Sequence, residues 1–171
     1  MLTPASGETL TRGPCSGTGT MAPVTEPTPR PSRADYVAWR TVTTRWRDDD
    51  AYGHLNNATY YELFDTAVNA HLYEATGLDV RALPQIGVVA ETSCRYFREL
   101  GFPEPIETGL VADKVGRSSV VYRIGLFQGS GDEAAAEGRF VHVYVDNTDP
   151  ARRVTPIPEA IRSALQPLLR A

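Results

Sequence analysis

The chain has 171 residues, 42% hydrophobic and 22% charged, the balance of one ordinary globular domain with a sizeable core and no room for a second. Its formal net charge of -4 gives no global attraction to nucleic acid or anionic lipid, so neither is an expected partner and any anionic ligand has to be held locally. The two cysteines, Cys15 and Cys94, and the three histidines, His54, His71 and His142, show neither a disulfide framework nor paired ligand spacing, so no metal is expected.

Residues 1–34 hold six of the thirteen prolines and four of the fourteen glycines, with no isoleucine and no aromatic residue. Such a segment cannot bury enough apolar surface to offset its ordering entropy, and it is expected to be a disordered leader ahead of one domain over 35–171. Met21 inside it is an alternative start. No apolar run reaches the roughly 7–15 residues of a signal peptide or the roughly 18 of a membrane span, so the expected location is the cytoplasm.

The first strand is expected at 42–46, where Val42, Thr43, Thr44 and Trp46 suit a pleated, half-buried surface. An acidic, glycine-containing run over 47–55 interrupts any regular pattern, and Asn56 or Asn57 is a good N-cap for a helix. From 57 to 76, Ala58, Tyr61, Phe64, Val68, Leu72 and Ala75 recur every three or four residues, which predicts one helix about 30 Å long, stopped by Gly77.

After a loop around Pro84, four strands are expected at 88–97, 106–115, 120–127 and 139–145. Val120, Tyr122, Ile124 and Leu126 share one face of the third, and Val141, Val143 and Val145 one face of the last, as in a sheet with a single buried side. Gly116-Arg117-Ser118 and Gly129-Ser130-Gly131 suit hairpin returns. A short helix over about 158–169 closes the chain after Pro156 and Pro158. The order β-α-β-β-β-β predicts an α+β domain in which a curved antiparallel sheet of about five strands wraps the long helix. Its open edges favour pairing with a second copy.

Residues 45–60 read Arg-Trp-Arg-Asp-Asp-Asp-Ala-Tyr-Gly-His-Leu-Asn-Asn-Ala-Thr-Tyr. Three aspartates before a helix suit a solvated cluster that complements the helix dipole. They equally suit chemistry: a carboxylate beside unpaired helix N-terminal amides can attack, or activate water to attack, a carbonyl whose oxygen those amides hold.

The pattern Asp-x-Asp-x-x-Gly-His-x-Asn-Asn, followed by an aromatic-bearing helix, resembles the 4-hydroxybenzoyl-CoA thioesterase family. The resemblance implies a hotdog fold and hydrolysis of an acyl-CoA thioester to a carboxylic acid and free CoA, with no cofactor, in a homodimer or homotetramer. It implies that Asp50 is the catalytic carboxylate, either a nucleophile or a general base, and that the Asn57 amide is the oxyanion donor with Gly87 assisting. Asp48 and Asn56 take positioning roles, and His54 is a further member of the catalytic group. Tyr61 and Phe64 would border the acyl group in the seam beside the helix. Arg95, Arg117 and Ser118 are candidates for the CoA phosphates, because guanidinium and hydroxyl groups suit phosphate oxygens.

Glu62 and Asp65 are read as a polar helix edge where related folds sometimes place an acid, and Cys94 as a packed thiol. Two other readings stay open: a hotdog module that binds acyl-CoA without cleaving it, and a hotdog enoyl-CoA hydratase or dehydratase, which would pair a histidine with an acid.

Overall fold

The computed structural model describes residues 29–170. Its elements are β1 (Ala38–Val42), α1 (Asn57–Thr76), β2 (Gln85–Tyr96), β3 (Ile106–Val115), β4 (Ser119–Gln128), β5 (Ala136–Asp146) and α2 (Glu159–Leu165), which continues into a 3-10 turn over Gln166–Leu168. All five strands form one antiparallel sheet in the order β1-β3-β4-β5-β2. The β3–β4 and β4–β5 returns are the expected hairpins. β2 does not pair with the next strand in sequence but crosses to the far edge beside β5.

The first strand differs from its expected position. β1 ends at Val42, and Trp46 instead opens a 3-10 turn over Trp46–Asp48 with its side chain 82% exposed. The physical reason is local. The Asp48 carboxylate accepts the Arg45 N–H at 2.7 Å, and a short acidic side chain that captures nearby backbone competes directly with strand pairing.

Residues 1–28, with Cys15 and Met21, lie outside the described residues. The last residues of the segment read as leader are described, and they pair with the β4–β5 connection. The Ala134 N–H donates to the Pro31 carbonyl at 2.8 Å, and the Arg33 N–H donates to the Asp132 carbonyl at 3.0 Å. They lead into Tyr36, which packs with Val111, Phe127 and Ala134 on the face of the sheet away from α1.

α1 has the expected bounds, but its buried stripe is rotated. Tyr60, Leu63, Phe64, Ala67, Val68 and Leu72 are buried, while Ala58 and Ala75 are exposed and Tyr61 is half-buried. The larger side chains turn the helix so that a broad stripe meets the sheet, and the two small alanines at its ends are left in water. Phe64 is fully buried. A Cβ on Gly138 would come within 2.5 Å of its ring, so this glycine in β5 is what allows the helix to approach.

β5 also buries the opposite face from the one its valines suggest. Phe140, His142 and Tyr144 point at α1, whereas on the outer face Val141 and Val143 are half-buried and only Val145, bridged to Val154, is buried. The aromatic set removes more apolar area from water than the valines could, and period-two alternation alone does not choose between two such faces. In β2 the register shifts between Val89 and Glu91, so Val89 shares the inner face with Thr92, Cys94 and Tyr96, and Ala90 falls at the irregularity.

His142 is the one histidine taken into the core, and burial pushes its imidazole down to about 4. The unfolded chain therefore takes up this proton as pH falls through about 6.5, and the folded chain only near 4. The stability associated with neutral His142 is fully present above pH 6.5 and declines by on the order of 3 kcal/mol as pH falls toward 4. Urea unfolding across this range is expected to show that decline in the wild type and a shallower one in His142→Phe; superimposable slopes would contradict the assignment.

Candidate active site at the start of the long helix

The acidic run closes into a compact loop before α1. The Asp50 N–H donates to the His54 carbonyl at 2.8 Å, the Gly53 N–H donates back to the Asp50 carbonyl at 3.2 Å, and Asp49 and Leu55 face each other as a bridge. Gly53 has φ +81, a conformation that side chains with a Cβ adopt rarely, so the glycine of the motif is required by the turn. The Asp48 carbonyl then accepts the Asn56 N–H at 2.8 Å and the Thr59 hydroxyl at 3.4 Å, which ties the loop to the first turn of α1.

Within this loop the three aspartates separate. Asp48 closes the preceding 3-10 turn. Asp49 accepts the Phe102 N–H through both oxygens, at 3.2 and 3.3 Å, and so fastens the segment that comes after β2. Asp50 accepts the Tyr52 N–H at 2.8 Å and the His54 N–H at 3.4 Å through the same oxygen, Oδ1. Its Oδ2 makes no hydrogen bond among the described residues.

Asn56 is the N-cap: its Oδ1 accepts the Ala58 N–H at 3.0 Å, and its carbonyl accepts the Thr59 N–H at 2.9 Å. Asn57, the first helical residue, donates its N–H to no partner among the described residues. The first turn of α1 carries no acidic residue, so the negative charge next to this end of the helix dipole comes from the loop.

His54 turns away from Asp50. Its Nε2 lies 3.1 Å from Glu99, and both side chains are largely in water, so its link to Asp50 is through backbone alone. Asp48, Glu62 and Thr66 line a cavity of about 170 Å³ on the β1 side of the helix, and Asp50 is not part of its wall.

On the β2 side, half-buried Tyr61 meets Phe64 edge-on at 5.8 Å, and Tyr60 meets Tyr96 edge-on at 4.9 Å. Phe64 itself is core and has no open face for a ligand. Cys94 is half-buried next to these rings, and burial raises its thiol to about 11, which leaves it protonated at neutral pH. Tyr96 and Glu99 join this end of the molecule, beside the Tyr60 of the motif, without any warning from the sequence, because they are brought here by the crossing of β2 to the far edge.

The remaining candidates are spread over two ends. Gly87 lies in a cavity with Leu72 and His142, and Leu72 is fifteen residues along α1 from Asn57, about 22 Å at 1.5 Å per residue. Arg95 stacks on Phe97 at 5.2 Å and stands opposite Glu137, whereas Ser119 stands opposite Val143. Six residues of β5 therefore separate Arg95 from the Arg117-Ser118 turn, about 20 Å at roughly 3.4 Å per residue. Arg117 and Ser118 also hold the fold through their carbonyls, which accept from Arg162 at 3.0 Å and from the Tyr144 N–H at 2.8 Å. One chain thus gathers Asp48, Asp50, His54, Asn56, Asn57, Tyr61 and Arg95 at one end, and leaves Gly87, Arg117 and Ser118 at the other.

A family model described as the thioesterase-like superfamily matches residues 44–165, from the turn before Asp48 to the end of α2. No curated protein matches the chain. Among solved structures, the PA5185 protein of Pseudomonas aeruginosa strain PAO1 is 46% identical, covering 84% of this chain and 99% of that one with a TM-score of 0.79. The PA2801 protein of Pseudomonas aeruginosa, described as a candidate thioesterase, is 29% identical, covering 76% of this chain and 98% of its own with a TM-score of 0.67. A thioesterase of Thermus thermophilus, solved in complex with coenzyme A and Zn, is 26% identical over 77% of this chain and 98% of its own, with a TM-score of 0.64. The wrapped long helix is the hotdog fold of these relatives.

If Asn56 caps α1 as described, Asn56→Ala is expected to cost about 1 kcal/mol in urea unfolding, with Asn56→Asp close to wild type. Equal stability of all three chains would show that the helix start is held by something else.

Proposed function

The chain belongs to the thioesterase-like superfamily and is a thioester hydrolase by that membership, and we propose that it hydrolyses acyl-CoA with Asp50 as the reacting carboxylate. The observation that carries the assignment is the pairing, across one closed loop, of a carboxylate with a free oxygen and a helix-start amide with no acceptor among the described residues.

Two routes use these groups. In one, Asp50 Oδ2 takes a proton from water as the water oxygen bonds to the thioester carbonyl carbon. In the other, Oδ2 itself bonds to that carbon and CoA thiolate leaves, giving a mixed anhydride that water then opens. In both, negative charge gathers on the carbonyl oxygen, and the Asn57 N–H at the positive end of the α1 dipole is its donor. In both, the products are a carboxylic acid and CoA thiol. Asp48 and Asn56 position the loop on the helix. His54, paired with Glu99, is assigned to steadying the loop; the hydratase reading would have to use this pair, and the free oxygen of Asp50 favours hydrolysis.

We place a second copy against β2. Its outer edge has no strand partner among the described residues, and Glu91, Thr92 and Ser93 are exposed on both faces. Two-fold antiparallel pairing sets the Gly87 half of one β2 beside the Tyr96 half of the other. A dimer, or a tetramer built from it, would then bring Gly87, Arg117 and Ser118 of one copy toward the Asp50 loop of the other, and Tyr61 to the seam. Arg95 already lies at the Asp50 end. Among the described residues no helix is long and apolar enough to cross a membrane. A cytoplasmic location fits the free thiol of Cys94.

In a thiol-release assay over short, long and aromatic acyl-CoA esters, Asp50→Asn is expected to lower kcat by about 100-fold or more on the best substrate, with unfolding unchanged. Full activity in this variant, or no turnover of any ester by the wild type, would sink the assignment.

A further inference from the structure

Between β2 and β3 the chain runs through 97–105 without helix or strand, and this segment lies against the Asp50 loop. The Leu55 N–H donates to the Leu100 carbonyl at 2.7 Å, the Phe102 N–H donates to the Asp49 carboxylate, and His54 pairs with Glu99. The backbone of Gly101 stands against the same loop: a Cβ there would lie 3.5 Å from the Gly53 carbonyl oxygen and 3.6 Å from both Asp49 carboxylate oxygens.

A segment with no ladder of its own needs an outside hold before it can brace anything, because its backbone groups must still be paired. Gln128, the last residue of β4, supplies that hold. Its Oε1 accepts the Gly101 N–H at 3.2 Å, and its Nε2 donates to the Gly101 carbonyl at 2.6 Å and to the Glu104 carbonyl at 2.7 Å. Its own carbonyl accepts from the Arg98 guanidinium at 2.5 Å. One amide side chain thus uses both of its N–H donors and its oxygen, and only one orientation serves: turned over, it would set its oxygen against two carbonyls.

The direction of this brace matters for the chemistry. Asp50 is fixed within its loop by the Tyr52 and His54 amides, and the loop is tied to α1 through Asp48 and Asn56. Those bonds leave the far side of the loop, Asp49 and Gly53, to be placed by the segment after β2. A tilt there moves Asp50 Oδ2 relative to the Asn57 N–H without breaking a hydrogen bond of either. Displacing a reacting group by about 1 Å can lower a rate on the order of 100-fold.

We propose that Gln128 is a positioning residue for the hydrolysis: through Gly101 and Asp49 it holds the Asp50 loop at the angle that lets Oδ2 and the Asn57 amide act on one thioester. Gln128 touches no reacting atom, and this role rests on the assignment of Asp50 made above.

Gln128→Leu, close in size but without the amide, is to be compared with the wild type as the full chain on the acyl-CoA ester turned over best. It is expected to lower kcat by about 10- to 100-fold while KM changes by less than about twofold. Hydrogen exchange at the Leu55 and Phe102 amides should be faster on the order of 10-fold, with the β4 and β5 amides exchanging as in the wild type. Because Gln128 acts through Asp50, adding Gln128→Leu to Asp50→Asn should lower kcat no further, whereas a residue that merely held the fold would lower it again. Asp49→Ala cuts the same brace at its other end and should reproduce both the kcat loss and the faster exchange at Phe102, which decides the matter where Gln128→Leu fails to fold. Wild-type kcat in Gln128→Leu or Asp49→Ala, unchanged exchange at Phe102, or losses that multiply in the double variant would overturn the proposal. Full activity of Asp50→Asn is a different failure: it overturns the Asp50 assignment and, with it, this role of Gln128.

Discussion

A helix of twenty residues begins with amide groups that its own backbone cannot satisfy, and the way this chain meets that requirement at α1 organises the end of the molecule where the chemistry is proposed. The Asn56 side chain and carbonyl take the Ala58 and Thr59 amides. The loop before them is drawn onto the helix by the Asp48 carbonyl, and the segment after β2 is drawn onto the loop by the Asp49 carboxylate. Among the described residues, Asn57 is left with its amide free and Asp50 with one oxygen free. Both lie in a segment rigid enough to hold them through its own hydrogen bonds, as a reacting pair must be held.

The rest of the domain fixes where that helix start stands. Phe64 seats α1 on β5 where Gly138 has no side chain, and Tyr60 anchors the first turn against Tyr96. The same packing leaves β2 reaching past the helix, so its inner face is only partly covered at Val89, Thr92 and Tyr96. An uncovered inner face and an unpaired outer edge on one strand are what a second copy would cover, and in the proposed dimer they are the reason one chain carries only part of the binding surface. At the other end of α1, the large side chains of β5 enclose the cavity beside His142.

The sequence shows the long helix, its bounds and the order of elements, because a three-and-four apolar spacing ended by a left-handed glycine is a local signal. The motif over 48–57 is legible for the same reason: its turn, cap and free amide are made by neighbours in the chain. What pairs with β2 is not legible, since strand crossing is decided by packing far along the chain. That is why Arg95 and Arg117 look equivalent in sequence and lie at opposite ends in space. The buried face of β5 is misleading in sequence because valine alternation and aromatic alternation run through the same strand out of phase. Trp46 has the composition of a strand residue and forms a turn because Asp48, two residues later, captures the backbone first.

The central claim is that a backbone amide at the first position of α1 holds the charge formed on the thioester oxygen, and it can be tested by removing only that N–H. Proline is favoured at the first helical position, and Asn56 already has φ -58 and ψ 136, the extended conformation that a proline demands of the residue before it. Asn57→Pro should therefore keep the helix and the stability of the chain. Measured on the best acyl-CoA substrate, it is expected to lower kcat by about 100-fold while KM changes little. A folded Asn57→Pro enzyme with wild-type kcat would contradict the account.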